Sequence, residues 1–266
     1  MKKRLLASLI LSATAFLTTT VYADSSSSSA FTPDQTTQIQ KIVHDYLVSN
    51  PQVLVEVANA LQTQQLAQQN QQAMKALPAN AKELFYDTAS PVAGNPNGNV
   101  TVVEFFDYQC PHCKNVAPEL NKLIATDNNV RVVFKQLPIF GANSEFAARA
   151  ALAANQQGKF LELHNALMKA QSSLNSDVIL NIASNLGIDI EKLQSAMNSA
   201  AVSNELKVNF KLANAFNFPG TPAFVIAKVP VGQAAKTAAA PTTAYFIPGE
   251  ANEQDLQNYV NKARGS

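Results

Sequence analysis

The chain has 266 residues, with 20 Lys and Arg against 19 Asp and Glu, for a formal charge of +1. That balance argues against a general binder of nucleic acid or anionic surfaces, which needs a basic excess. It has only two cysteines, three positions apart, so a network of stapling disulfides is excluded.

The N-terminus has the form of a secretory signal. Lys2, Lys3 and Arg4 precede an apolar run from Leu5 to Leu17, and Val21-Tyr22-Ala23 is a small-x-small cleavage site. Cleavage is expected after Ala23. The run is shorter than the about 20 apolar residues of a membrane span, and the polar tract Ser25–Ser29 follows it. Removal of residues 1–23 leaves about 243 residues, enough for one good-sized domain and an extra module. The expected location is an oxidising compartment outside the cytoplasm, where disulfides form; the style of the signal points to a bacterial periplasm.

Residues 31–77 are expected to be helical. Thr32-Pro33 is a start signal, and Ile39, Ile42, Val43, Tyr46 and Leu47 recur at helical spacing. Asn50-Pro51 interrupts. Val53, Leu54, Val57, Ala58 and Leu61 then form a second apolar face. Seven glutamines follow between Gln62 and Gln72. Two apolar faces with little to bury them, on a polar stalk, predict an arm that associates with its own kind. Residues 24–77 are assigned to this arm and stalk, with a homodimer expected through 31–77; a trimer would satisfy the same faces.

The turn signals between Pro78 and Asn99 place the boundary of a second domain, 78–266. Val100–Phe106 is expected to be a buried strand, Lys114–Ala125 a helix and Val130–Leu137 a second strand. Strand, helix, strand in about 40 residues is a βαβ unit with parallel strands. Residues 143–217 are expected to be helical throughout. Ala223–Ala227 is a third strand, Thr243–Ile247 a fourth, antiparallel to it, and Glu253–Ala263 a last helix. Residues 229–242 are expected to form a long hairpin loop.

The two cysteines lie in Cys110-Pro111-His112-Cys113, between the first strand and its helix. A bond between them closes a loop too small to restrict the unfolded chain. The pair is therefore read as chemistry. A helix starting at Cys110 places that sulfur against unpaired amides and the positive end of the helix dipole, with Pro111 suited to the first helical position. A protonated His112 would add to the stabilisation. Such settings bring a thiol into the range of about 3.5–7.5. Cys110 is expected to be the exposed thiolate and Cys113 its sheltered partner. A zinc site would need more ligands; His44 and His164, the only other histidines, lie on predicted helices without ligand spacing, and no metal is expected.

With these residues in place, the chain resembles the DsbA-like periplasmic thiol:disulfide oxidoreductases of the thioredoxin superfamily, through Phe105-Phe106 and Cys110-Pro111-His112-Cys113, over about residues 83–263. The resemblance implies an α/β thioredoxin fold with an inserted helical subdomain at about 143–217, beside the N-terminal helical arm. It implies catalytic roles for Cys110, Cys113, His112 and Pro111. Glu104 falls where the family keeps a buried carboxylate for proton transfer, and Lys135, on the next strand, where a lysine can pair with it. Pro118 matches a proline that kinks the active-site helix. Gly220-Thr221-Pro222-Ala223-Phe224 matches the family's cis-proline loop, so Thr221 and Pro222 are expected to bind substrate. Thr221 departs from the valine of the best-known monomeric oxidases and matches the dimeric isomerases and reductases. The implied function is to introduce, and also to isomerise, disulfides in unfolded or misfolded secreted proteins. No cofactor beyond the Cys110–Cys113 pair is implied. A quinone-linked membrane oxidase, with a reductase as a further partner, would reset it. The competing reading is a non-catalytic envelope protein on the same scaffold.

Overall fold

The computed structural model describes residues 31–171, 173–231 and 239–265. The signal segment 1–23, the serine tract and the centre of the loop at 229–242 lie outside the described residues.

The first unit ends at Asn59. Helix α1 spans Pro33–Ser49, and its start is a capping box. The Thr32 hydroxyl accepts from the Gln35 amide at 3.2 Å, and the Gln35 side chain accepts from the Thr32 amide at 2.9 Å. Two of the amides left unpaired at a helix start are thus satisfied. Nothing on α1 is buried. Ile42 is 67% exposed, and Ile39, Val43 and Tyr46 are exposed beside it.

Helix α2 spans Gln52–Phe85 with Pro78 inside it. The expected break at Pro78 does not occur, and the helix runs on for another seven residues. Buried contacts override the cost of an interior proline: Leu77, Leu84 and Phe85 are fully buried, and Ala73 and Ala81 nearly so. Most of this helix, from Ala60 on, therefore belongs to the second unit.

That unit is built on a five-stranded sheet ordered β1-β3-β2-β4-β5. The strands are β1 (Val92–Gly94), β2 (Val100–Phe106), β3 (Val130–Gln136), β4 (Ala223–Ala227) and β5 (Tyr245–Pro248). β2 and β3 are parallel, and the other pairs are antiparallel. Strand β1 was not expected; three residues are too short to show a period. It ends at Gly94, whose φ of +73° is open to glycine and where a Cβ would stand 2.5 Å from the Val130 carbonyl oxygen.

Alternation along the strands divides the core in two. Val100, Val102, Phe106, Val130, Val132 and Phe134 pack on one face with helix α3 (Pro111–Thr126) and the last helix, α9 (Glu253–Gly265). Val103, Phe105, Val133 and Val225 pack on the other with the end of α2 and with Leu212 and Phe216. Among the described residues, the segment between β3 and β4 holds five helices: α4 (Ala142–Asn155), α5 (Phe160–Lys169), α6 (Ser176–Asn185), α7 (Ile190–Met197) and α8 (Ala200–Ala215). Asn175, Asp189 and Ser199 cap three of them through their side chains. This is a thioredoxin-like mixed α/β sheet with a helical subdomain inserted.

Candidate active site

Strand β2 ends at Phe106, and the next four residues make the turn into α3. Asp107 organises that turn. Its carbonyl accepts from the Cys110 amide at 3.1 Å. Its Oδ1 accepts from the Gln109 amide and from Ser144 Oγ, both at 2.7 Å. Its Oδ2 accepts from the amides of Ile139 and Phe140 at 2.7 and 3.1 Å. A buried carboxylate is acceptable here because both oxygens are fully employed. Sequence reasoning missed Asp107. Its position two residues before a backbone amide at a strand end is the signature of an Asx turn.

Cys110 is the N-cap of α3 and Pro111 its first residue. Both cysteines are free thiols and both are buried. The expectation of an exposed Cys110 is therefore corrected: the residue is 1% exposed. The covering group is the loop before β4. The Thr221–Pro222 bond is cis, and the Thr221 carbonyl accepts from Cys110 Sγ at 3.3 Å. Cys113 lies one turn inward. Burial pushes its thiol up, and the nearby Glu104 carboxylate pushes it further.

Glu104 is 1% exposed, and neither of its carboxylate oxygens has a hydrogen-bond partner among the described residues. Burial pushes its carboxyl up to about 8. An uncharged carboxyl facing a thiol can hand over or take a proton near neutral pH.

Lys135 does not join this group. The register aligns Glu104 with Phe134 and Phe105 with Lys135. Glu104 therefore faces α3, and Lys135 the opposite face of the sheet. There Lys135 Nζ meets Glu205 at 3.3 Å and Asp87 at 3.4 Å. The expected Glu104–Lys135 pair is not formed.

His112 also has a different partner. Its Nδ1 pairs with Glu250 Oε1, an oxygen that accepts from Asn115 Nδ2 at 3.3 Å as well. Glu250 was missed because it lies 138 residues away in sequence. Pro118 lies inside α3, as expected. Among the described residues no group of three or more His, Cys, Asp or Glu could hold a metal.

The structure thus brings Cys110, Pro111, His112, Cys113, Glu104, Thr221 and Pro222 to one place at the C-terminal end of β2. Sulfur chemistry at a helix N-terminus, with a proton carrier behind it, is what this arrangement can perform.

Residues 101–261 match the DSBA-like thioredoxin domain family, and residues 35–68 match the copper resistance protein ScsC N-terminal domain. A thioredoxin-like oxidoreductase from Silicibacter pomeroyi is 41% identical, covers 70% of this chain and 99% of its own, and superposes with a TM-score of 0.62. The thiol:disulfide interchange protein DsbA of Pseudomonas aeruginosa is 29% identical over 152 residues, 53% of this chain and 70% of that protein. The Na(+)/H(+) antiporter NhaA 3 of Salinispora tropica is 30% identical over 137 residues, 51% of this chain, but the chain spans only about a fifth (21%) of that protein. The chain belongs to the family of DSBA-like thioredoxin domains, joined to an ScsC-type N-terminal segment.

Proposed function

We propose that this protein is a periplasmic thiol:disulfide oxidoreductase that introduces disulfides into secreted proteins and also reshuffles wrong ones. The observation that carries it is the Cys110 sulfur at the start of α3, 3.3 Å from the Thr221 carbonyl.

In the oxidised form a substrate thiolate attacks Cys110 Sγ. The new bond is a mixed disulfide, and the Cys110–Cys113 bond breaks with Cys113 leaving as a thiolate. Glu104, neutral up to about pH 8, supplies the proton that Cys113 takes up. A second substrate thiolate then attacks the substrate sulfur of the mixed disulfide and releases the Cys110 thiolate. Two substrate thiols have become one disulfide, and the protein is left as a dithiol. Cys110 leaves from the N-cap of α3, where the helix dipole favours negative charge. For isomerisation the reduced Cys110 attacks a substrate disulfide, and Cys113 releases adducts that stall. Thr221 and Pro222 would hold the substrate in extended form by backbone hydrogen bonds, as an added strand.

The substrates would be unfolded or misfolded exported proteins with cysteines. A quinone-linked membrane oxidase, and a reductase for the isomerase cycle, would reset the centre. Export through a cleaved signal at 1–23 completes the assignment. The exposed apolar faces of the arm support a homodimer through residues 31–77.

The test is an insulin-reduction and scrambled-ribonuclease assay on the purified mature chain. Cys110→Ser is expected to be inactive, and Cys113→Ser to accumulate covalent substrate complexes. An active Cys110→Ser protein rejects the mechanism. An inactive wild type supports the non-catalytic envelope protein instead.

A further inference from the structure

Two consecutive residues between β5 and α9 tie the cis-proline loop to the active-site helix. Gly249, with a φ of +95°, donates its amide to the Pro222 carbonyl at 2.8 Å. Glu250 reaches the first turn of α3, where its Oε1 bonds His112 Nδ1 and accepts from Asn115 Nδ2. With the Cys110–Thr221 bond on the other side, the connection is a closed circuit around the sulfur.

His112 is the one ionisable side chain between the two cysteines. Its ring is held from one nitrogen, and its charge, when protonated, faces a carboxylate. That bond, and then the one from Asn115, hold the Glu250 carboxyl below its ordinary range. Lys114, the next cation along α3, is directed elsewhere: its Nζ donates to the Ala170 carbonyl at 2.8 Å.

We infer that Glu250 is a positioning residue of the thiol centre: by gripping His112 and offsetting its charge, it limits how strongly the Cys110 thiolate is stabilised. This rests on the thiol-exchange reading above. Removing the carboxylate leaves the imidazolium unpaired beside Cys110. The thiolate gains, the reduced form gains with it, and the disulfide becomes the stronger oxidant.

The test is a double-mutant cycle in the full mature chain, with wild type, Glu250→Gln, His112→Gln and both. The readouts are the Cys110 titration by ultraviolet absorbance and the equilibrium with glutathione at about pH 6, where an ordinary imidazole is protonated. Glu250→Gln is expected to lower the Cys110 pKa and move the equilibrium about threefold toward the reduced protein, the scale of a half-exposed pair. In the His112→Gln background the same change is expected to do nothing. No shift, an upward shift, or an equal shift without His112 overturns the role of Glu250. A merely structural Glu250 would lower the unfolding midpoint and leave the equilibrium where it was, which also overturns it. If wild-type Cys110 exchanges with glutathione and Glu250→Gln has no effect, only the role of Glu250 is lost. If wild-type Cys110 does not exchange, the thiol-exchange reading falls as well.

Discussion

The Cys110 thiol donates to the Thr221 carbonyl at 3.3 Å, while Cys113, three residues on, faces the buried Glu104. The two sulfurs therefore differ in kind. Cys110 meets a helix start and a loop edge. Cys113 meets an apolar core and a carboxyl, and its thiol is raised first by burial and then by Glu104. Both sulfurs are buried, but alkylation of the reduced protein near neutral pH is expected to label Cys110, at the loop edge, faster than Cys113, as read by peptide mass. Unfolding in urea should make both react. Equal labelling in the folded state would contradict the division of labour.

Glu104 and His164 set opposite pH slopes. The Glu104 carboxyl is pushed up to about 8 by burial, from about 4.3 in an unfolded chain. Between those values the folded state holds a proton that the unfolded state has released, so stability falls as pH rises, and the whole penalty is present above pH 8. His164 is buried against Phe106, Phe134 and Phe160, and burial pushes it down to about 3. Below about 6.5 the unfolded chain takes up a proton that the folded one refuses, so stability falls as pH drops toward 3. From about 4.3 to 6.5 the two slopes cancel. Glu104→Gln is expected to remove the loss between pH 6.5 and 8, worth on the order of 2 kcal/mol, in urea unfolding of the reduced protein. A stability difference between wild type and Glu104→Gln that stays constant from pH 6.5 to 8.5 would show that Glu104 is ionised in the fold.

Tyr108 OH meets His164 Nδ1 at 3.2 Å inside the same aromatic cluster. Tyr108→Phe leaves that buried ring nitrogen without its partner, at a cost of about 1–3 kcal/mol. Urea unfolding at neutral pH should show the lower midpoint, with the slope unchanged.

Lys135 is fully buried between Glu205 and Asp87 on the face of the sheet away from the cysteines. Burial pushes the Glu205 carboxyl up, against the pull of Lys135, and Ser90 Oγ donates to Glu205 Oε1 at 2.7 Å. Removing one partner of such a buried set leaves charge uncompensated. Lys135→Met is expected to destabilise by about 3–5 kcal/mol. Adding Glu205→Gln should recover part of that in the same unfolding measurement. No recovery would place the cost in packing rather than charge.

The contrast between Lys135 and Cys110 shows what the sequence carried. Four strands were legible because each is an apolar run bounded by turn residues, and the active-site turn was legible because its chemistry is contiguous. The pairing of Glu104 with Lys135 failed on parity: counted from the parallel strand starts Val100 and Val130, they stand one residue out of step, which sends them to opposite faces. That offset could have been read from the chain. The true partners of Lys135, and the grip of Glu250 on His112, could not. They depend on how α2, α8 and the β5–α9 turn pack, and no local pattern encodes that.

The arm gives the last prediction. Ile39, Ile42, Val43 and Tyr46 on α1, and Leu54, Val57 and Leu61 on α2, are all more than two-fifths exposed. Single exposed apolar residues are ordinary, but a run of them at helical spacing marks a surface that another chain covers. The place to cut follows from burial. Ala73 and Leu77 are core residues of the second unit, packed with Phe216 and Phe246, and Asn70 Oδ1 accepts from the Phe246 amide at 3.3 Å. Deleting residues 24–77 would tear these out and confuse misfolding with loss of association. Deleting 24–59, up to the unit boundary, leaves them in place. Light scattering is expected to show an oligomer for the mature chain and a monomer for this deletion, with an unfolding midpoint close to that of the parent. A deletion that keeps the parent's oligomeric mass would move the self-association surface elsewhere.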